Sequence, residues 1–280
     1  MEGGRVEHSR ILAVTARLTD SCYLCPMSID VVDLRSFYSH RLGTVARRFV
    51  GRGVRARWDD TRGQRVLGIG YATPYLGLFR EEAERCLAFM PATQGVVKWP
   101  SAHPSLSALV DETELPLPDA AVDRVLLVHA IENSRDVGAL LLDVWRVLAA
   151  GGRLLAVVPN RRGVWARMDT TPFGHGRPYS RSQITHLLRE TGFTPTRWSE
   201  ALYVPPIGRG WFLRSAVAWE RAGATISAPF AGVHIVEATK QVYRAVPVRR
   251  EKRRLVPALE PALAPSPGAA ARNLHRRLQR

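Results

Sequence analysis

Five runs, Arg65–Gly70, Glu84–Met90, Ser107–Val110, Val122–His129 and Arg153–Pro159, hold apolar residues on successive rather than only alternate positions, and segments of helical spacing stand among them. Strands that are apolar on both faces have to be covered on both sides, and strands alternating with helices pair in parallel. Later segments, Phe193–Trp198 and His234–Tyr243, read as two further strands. The expected fold is α/β: a doubly wound, mainly parallel, seven-stranded sheet with helices on both faces. At 280 residues and 46% hydrophobic, the chain can bury the core this needs.

Helical spacing is clearest from Val31 to about Val54, where Leu34, Phe37, Tyr38, Leu42, Val45, Ala46 and Phe49 recur between arginines. Tyr75–Ala83, Asp136–Ala149, Ser182–Thr191 and Gly210–Arg221 read as further helices. Gly151-Gly152 is expected to cap the helix Asp136–Ala149 in a left-handed conformation and turn it into the next strand. Residues 1–30 lack strong periodicity and read as a flexible extension, with Met27 a candidate start. Residues 31–248 form the domain. Residues 249–280, with four prolines among alanines and arginines, read as a flexible basic tail.

Charge follows this division. The whole chain carries +15, of which residues 1–65 hold +5, residues 66–239 only +1, and residues 240–280 +9. A nearly neutral middle argues against a broad nucleic-acid face built into the fold and for a small-molecule domain with cationic appendages. Three cysteines, Cys22, Cys25 and Cys86, make no disulfide framework, and Cys22-Tyr-Leu-Cys25 has no second ligand pair to complete a metal site. The apolar stretch Trp211–Gly232 is interrupted by Arg214, Glu220 and Arg221, so no membrane span is expected. These features suggest a soluble protein of the reducing cytoplasm.

The chemistry concentrates at Arg65-Val-Leu-Gly-Ile-Gly-Tyr-Ala-Thr-Pro74, where an apolar strand runs into small residues and then a helix. Such a turn brings bare backbone up to a ligand at the carboxyl end of a sheet. Further on stand Leu109-Val-Asp-Glu-Thr-Glu-Leu-Pro-Leu-Pro-Asp, the strand ending at His129, the helix before Gly151-Gly152, and the strand reaching Pro159. In these passages the chain resembles the class I S-adenosylmethionine-dependent methyltransferases, type 11 branch, over roughly Val31 to Arg244. The resemblance implies a Rossmann-like fold and S-adenosyl-L-methionine as cofactor. It implies that Gly68, Gly70, Tyr71 and Ala72 wrap the methionine part, that Asp111 and Glu112 receive the adenine edge, and that His129 stands beside the methyl group.

The family usually places an acid where Gly68 stands and another at the end of the second strand, where it holds the ribose hydroxyls; here that position is Met90. Methyl transfer from a sulfonium is an in-line displacement helped chiefly by alignment and exclusion of water. For a hydroxyl or phenol acceptor a base is useful, and His129 is the candidate, although a strand-end histidine bonded to backbone would look the same in sequence. Acceptor binding is expected from the loop Asn160–Tyr179, which joins Trp165, Phe173 and Tyr179 with Arg161 and Arg167, a mixture suited to an acidic or aromatic small molecule.

The leading reading is therefore methyl transfer to a small-molecule acceptor. Met90 motivates an alternative, a domain that has kept the fold as a binding or scaffolding module. The basic tail motivates a third, association with nucleic acid, against which the neutral middle stands.

Overall fold

The computed structural model describes residues 29–208, 214–226 and 230–242. The chain divides after Arg244, and all the described residues belong to its first unit. The extension 1–28 and the residues beyond 242, where the readings about a flexible start, Cys22-Tyr-Leu-Cys25 and the basic tail fall, lie outside the described residues.

One sheet of seven strands organises the unit: β1 (Arg65–Gly70), β2 (Arg85–Pro91), β3 (Ser107–Val110), β4 (Val122–Val128), β5 (Leu148–Pro159), β6 (Phe193–Ala201) and β7 (Val233–Lys240). Their order is β3-β2-β1-β4-β5-β7-β6. β1 to β5 run parallel, and β7 is antiparallel to both β5 and β6. The order reverses between β1 and β4, so the crevice at their carboxyl ends is where a ligand would sit in such a sheet.

Successive residues divide between two cores. On one face Val66, Leu126, Val128, Leu155, Val157 and Ile235 pack against the first two helices; on the other Leu67, Ile69, Val125, Leu127, Leu154 and Val236 pack against the helices Val137–Val147 and Arg181–Glu190. Each such side chain contributes about 1.5–3 kcal/mol by leaving water. This is the physical reason the five central runs carry no alternating polar positions.

The helices are α1 (Val31–Ser39), α2 (Arg41–Arg57), α3 (Thr73–Leu76), α4 (Val137–Val147), α5 (Arg181–Glu190) and α6 (Ala216–Ile226). The single helix expected from Val31 to Val54 is two. His40 is extended, and Ser39 Oγ donates to the carbonyls of Arg35 and Ser36, closing α1 before α2 begins. A Cβ at Gly43 would lie 2.0 Å from the Phe37 carbonyl oxygen, so only glycine lets α2 turn back this tightly over the end of α1.

Two other expectations shift. The helix expected over Tyr75–Ala83 is one turn, α3, followed by three-residue turns through Leu78, Phe79 and Glu82. Gly151-Gly152 does not cap α4: that helix ends at Val147, Leu148 is already extended, and the glycine pair lies within β5, with Gly151 at φ +73°.

Gly70 ends β1 at φ +80°, and a Cβ there would stand 2.3 Å from the Val128 carbonyl oxygen of β4. The β1 turn and the β4 end can approach only because this residue has no side chain. Left-handed backbone costs a non-glycine residue about 1–3 kcal/mol, and the clash adds to it. Gly70→Ala is therefore expected to lose at least about 2 kcal/mol of stability, read from urea unfolding midpoints.

Candidate active site

β4 ends at Val128, and the chain then turns sharply through His129, a non-glycine residue held at φ +53°. Its carbonyl accepts hydrogen bonds from Asn133 Nδ2, at 3.1 Å, and from the Gln94 side-chain amide. Strain of this kind persists only where the surroundings fix it. Here it aims a fully buried imidazole into the space between the β1 turn and α1.

Both ring nitrogens are engaged. Nδ1 lies 3.0 Å from Glu132 Oε1, and Nε2 lies 2.9 Å from the Tyr38 hydroxyl, which is itself 3.2 Å from the Tyr75 hydroxyl. Glu132 and Tyr38 are also buried. A buried carboxylate is best satisfied by a donor, which assigns the Nδ1 proton to the Glu132 side and leaves Nε2 as an acceptor for the Tyr38 O–H. Burial, reinforced by Tyr75, holds the Tyr38 phenol well above its ordinary pKa, so it remains a donor. The second carboxylate oxygen of Glu132 is buried without a hydrogen-bond partner. The Glu132 contact at Nδ1 fixes the orientation of the ring and leaves Nε2 on the side of Tyr38.

An aromatic wall surrounds the network. Tyr38 stacks on Tyr71 of the β1 turn at 5.6 Å between centroids, and Phe173 lies 4.9 Å from the imidazole. Phe37 meets both Tyr38 and Phe173 edge-on. Ala72 is buried behind Tyr71. Gly68 has its place for packing, because a Cβ there would fall 2.5 Å from Leu76 Cδ1.

At the end of β3 the two acidic neighbours separate. Asp111 is exposed; its Oδ1 accepts from the backbone amide and hydroxyl of Thr113, at 2.9 and 2.7 Å, and these bonds hold its carboxyl below the usual range. It is an ionised, accessible acceptor at the carboxyl edge of the sheet. Glu112 is buried, accepting from Ser134 Oγ at 2.7 Å and the Arg135 amide at 3.2 Å, and burial raises its pKa. It braces the β3 end against the β4 loop.

Met90 is 1% exposed, belongs to the core beneath the crevice, and its sulfur accepts from the Val97 amide at 3.3 Å. The side chain is thus packed inside the fold. Trp165 and Phe173, expected to bind an acceptor, are likewise core residues: they pack edge-on at 5.5 Å, and Trp165 Nε1 donates to the Val204 carbonyl at 2.8 Å. Only Phe173 reaches the imidazole. Tyr179 is half-buried and pairs its backbone with Pro159 and Arg161, whereas the Arg161 and Arg167 side chains are exposed and apart from His129.

Sequence reading missed Tyr38, Tyr75, Gln94 and Glu132. Glu132 had a signal, the His-x-x-Glu spacing at a strand end. Tyr38 had none, since it is one apolar residue in a helical stripe. A cleft of about 900 Å³ lies beyond α1, lined by Asp30, Asp33, Phe37 and His40 on one side and by Asp169–Pro172 and His175 on the other. Among the described residues no His, Cys, Asp and Glu cluster could hold a metal, and no helix is long and apolar enough to cross a membrane.

Residues 50–156, from within α2 to near the end of β5, match the family model of the methyltransferase domain. A protein of Mycolicibacterium smegmatis named "Probable S-adenosylmethionine-dependent methyltransferase" is 40% identical over 82 residues, 29% of this chain and 32% of that one. The chain thus matches about a third of that relative's length. A solved S-adenosylmethionine-dependent methyltransferase of Archaeoglobus fulgidus superposes with a TM-score of 0.54 at 17% identity, covering 75% of this chain and all of the other. The [4+2]-cyclase SpnF superposes at 0.51 with 22% identity, covering 69% of this chain and 80% of the other. Over residues 50–156 the chain is thus similar to the methyltransferase domain, and its sheet shares the fold of these solved structures.

Since Met90 lies in the core, replacing it with an acid is expected to cost stability. Met90→Asp gives up apolar burial and places a carboxyl among Leu126, Ala88 and their neighbours. A loss of about 2–4 kcal/mol in urea unfolding is expected, whatever the variant does to ligand affinity.

Proposed function

We propose that this class I methyltransferase domain binds S-adenosyl-L-methionine in the crevice between β1 and β4 and methylates a small molecule, with His129 as the base. The observation that carries the reading is the buried Glu132–His129 pair, set at the carboxyl end of β4 opposite the glycine turn of β1. The cofactor would supply an electrophilic methyl group on a sulfonium whose departure leaves a neutral thioether.

The donor set fits that cofactor at its two ends. Asp111 offers an exposed, ionised carboxylate to the adenine amino group, and the turn after Gly70 brings Tyr71 and Ala72 backbone to the switch point of the sheet. At the ribose the fit is poorer, because Met90 offers no acceptor and is turned into the core. Losing a charged acceptor typically forfeits about 1.5–3 kcal/mol, so the affinity is expected to rest on the adenine and methionine ends. Of this chain's residues, Glu132 would hold the Nδ1 proton, Nε2 would take a proton from a hydroxyl acceptor, and the aromatic rings of Tyr71 and Phe173 would keep water away. The few cysteines, with Cys86 buried, are in keeping with the reducing cytoplasm as the place of action.

Calorimetric titration with S-adenosylhomocysteine is the test. Saturable binding is expected, and Asp111→Ala is expected to weaken it about tenfold, the worth of one charge-assisted hydrogen bond. An absence of saturable binding at millimolar ligand would contradict the reading.

A further inference from the structure

Helix α1 lies before the segment that matches the family model, yet it supplies the group bound to the proposed base. Tyr38 is anchored at its hydroxyl by His129 Nε2, at 2.9 Å, and by Tyr75, and at its ring by Tyr71, Phe37 and the edge of His129. A base at Nε2 accepts a proton only from a hydroxyl standing where the Tyr38 hydroxyl stands. We propose that Tyr38 holds the place of the methyl acceptor, that the site takes a phenolic hydroxyl, and that α1 must swing away from His129 to admit it. This rests on the proposed methyltransferase reading and names the acceptor class for that site.

Three further observations point the same way. The cleft of about 900 Å³ on the far side of α1 is separated from the imidazole by Phe37 and Phe173: Phe37 lines the cleft, and Phe173 touches His129. Withdrawal of α1 would take Phe37 out of this barrier, leaving only the Phe173 ring between that cleft and the base. The helix ends at the extended residue His40, and its first amide is bonded to the Gln94 carbonyl at 2.8 Å. The same Gln94 bonds the His129 carbonyl through its side chain, so the start of α1 and the base share one anchor. The chemistry balances with Tyr38 replaced by an external phenol: its oxygen forms the new O–C bond, the C–S bond pair leaves on sulfur, and the proton passes to His129 Nε2, on the ring whose Nδ1 is bonded to Glu132.

The probe is 4-methylphenol, the tyrosine side chain detached from its backbone. In wild-type protein saturated with S-adenosylhomocysteine, adding 4-methylphenol is expected to speed hydrogen exchange of the amides of residues 31–39 several-fold and to leave β1 and β4 protected. In Tyr38→Ala, 4-methylphenol is expected to raise the unfolding temperature. With S-adenosylmethionine present it should be converted to 4-methylanisole at least about tenfold faster than by wild type, because removing a closed state raises apparent affinity by the inverse of the open fraction. S-adenosylhomocysteine affinity should stay within about twofold of wild type. A purely structural Tyr38 would leave α1 exchange unmoved by the phenol, and would give a Tyr38→Ala protein that 4-methylphenol stabilises without being methylated. Either result, with S-adenosylhomocysteine still bound, overturns this inference alone. Failure of S-adenosylhomocysteine to bind the wild type overturns the methyltransferase reading and this inference with it. If Tyr38→Ala does not fold, the exchange measurement on wild type still decides.

Discussion

A fully buried imidazole needs a partner for each ring nitrogen, and the way His129 finds them shapes the carboxyl edge of the sheet. Nδ1 requires Glu132 three residues on, which forces the tight turn after β4 and the left-handed backbone at His129 itself. That turn presents the Glu132 carbonyl to the Arg177 amide at 2.8 Å, tying down the loop that follows β5. Nε2 requires a hydroxyl from outside the sheet, and Tyr38 reaches it only because α1 lies across the crevice and is stopped at Ser39 and His40. An unpartnered buried polar group costs about 1–3 kcal/mol, so α1, the β4 turn and the loop after β5 are held to one another by the demands of one side chain.

The central strands were legible because most of their positions follow one rule: a strand covered on both sides needs few polar positions. β1 and β3 fall where the pattern puts them, and β2 and β4 within a residue or so of it. The antiparallel placing of β7 between β5 and β6 had no counterpart in the sequence pattern, since apolar strands look alike in either direction. The break between α1 and α2 was hidden too, because the apolar spacing runs straight across His40 and the interruption comes from serine back-bonding and a close approach at Gly43. Gly151-Gly152 misled for a related reason: glycine pairs serve both helix caps and irregular strands, and local sequence does not separate the two.

Site residues divide along the same line. Asp111 is exposed at the end of β3, and the β1 turn lies against the end of β4. Trp165, Phe173 and Met90 illustrate the opposite, since aromatic and sulfur side chains are equally suited to a ligand wall and to a core, and here all three are buried. Glu112 looked like a ligand group and is a brace. Arginines within the domain also serve structure. Arg65 clasps Asp123, which joins β1 to β4, and Arg146 joins α4 to Asp119, Asp143 and the Leu115 and Leu117 carbonyls. Structural neighbours named as methyltransferases and as a cyclase share the sheet, so activity has to be argued from the residues at the switch point rather than from the fold.

The most direct measurement is a crystal structure of the protein grown with saturating S-adenosylhomocysteine. The account predicts the ligand between β1 and β4, with its adenine edge at Asp111, its thioether facing His129, and the Glu132–His129 hydrogen bond intact. A ligand bound elsewhere, or a crevice that excludes it at saturation, would contradict the account.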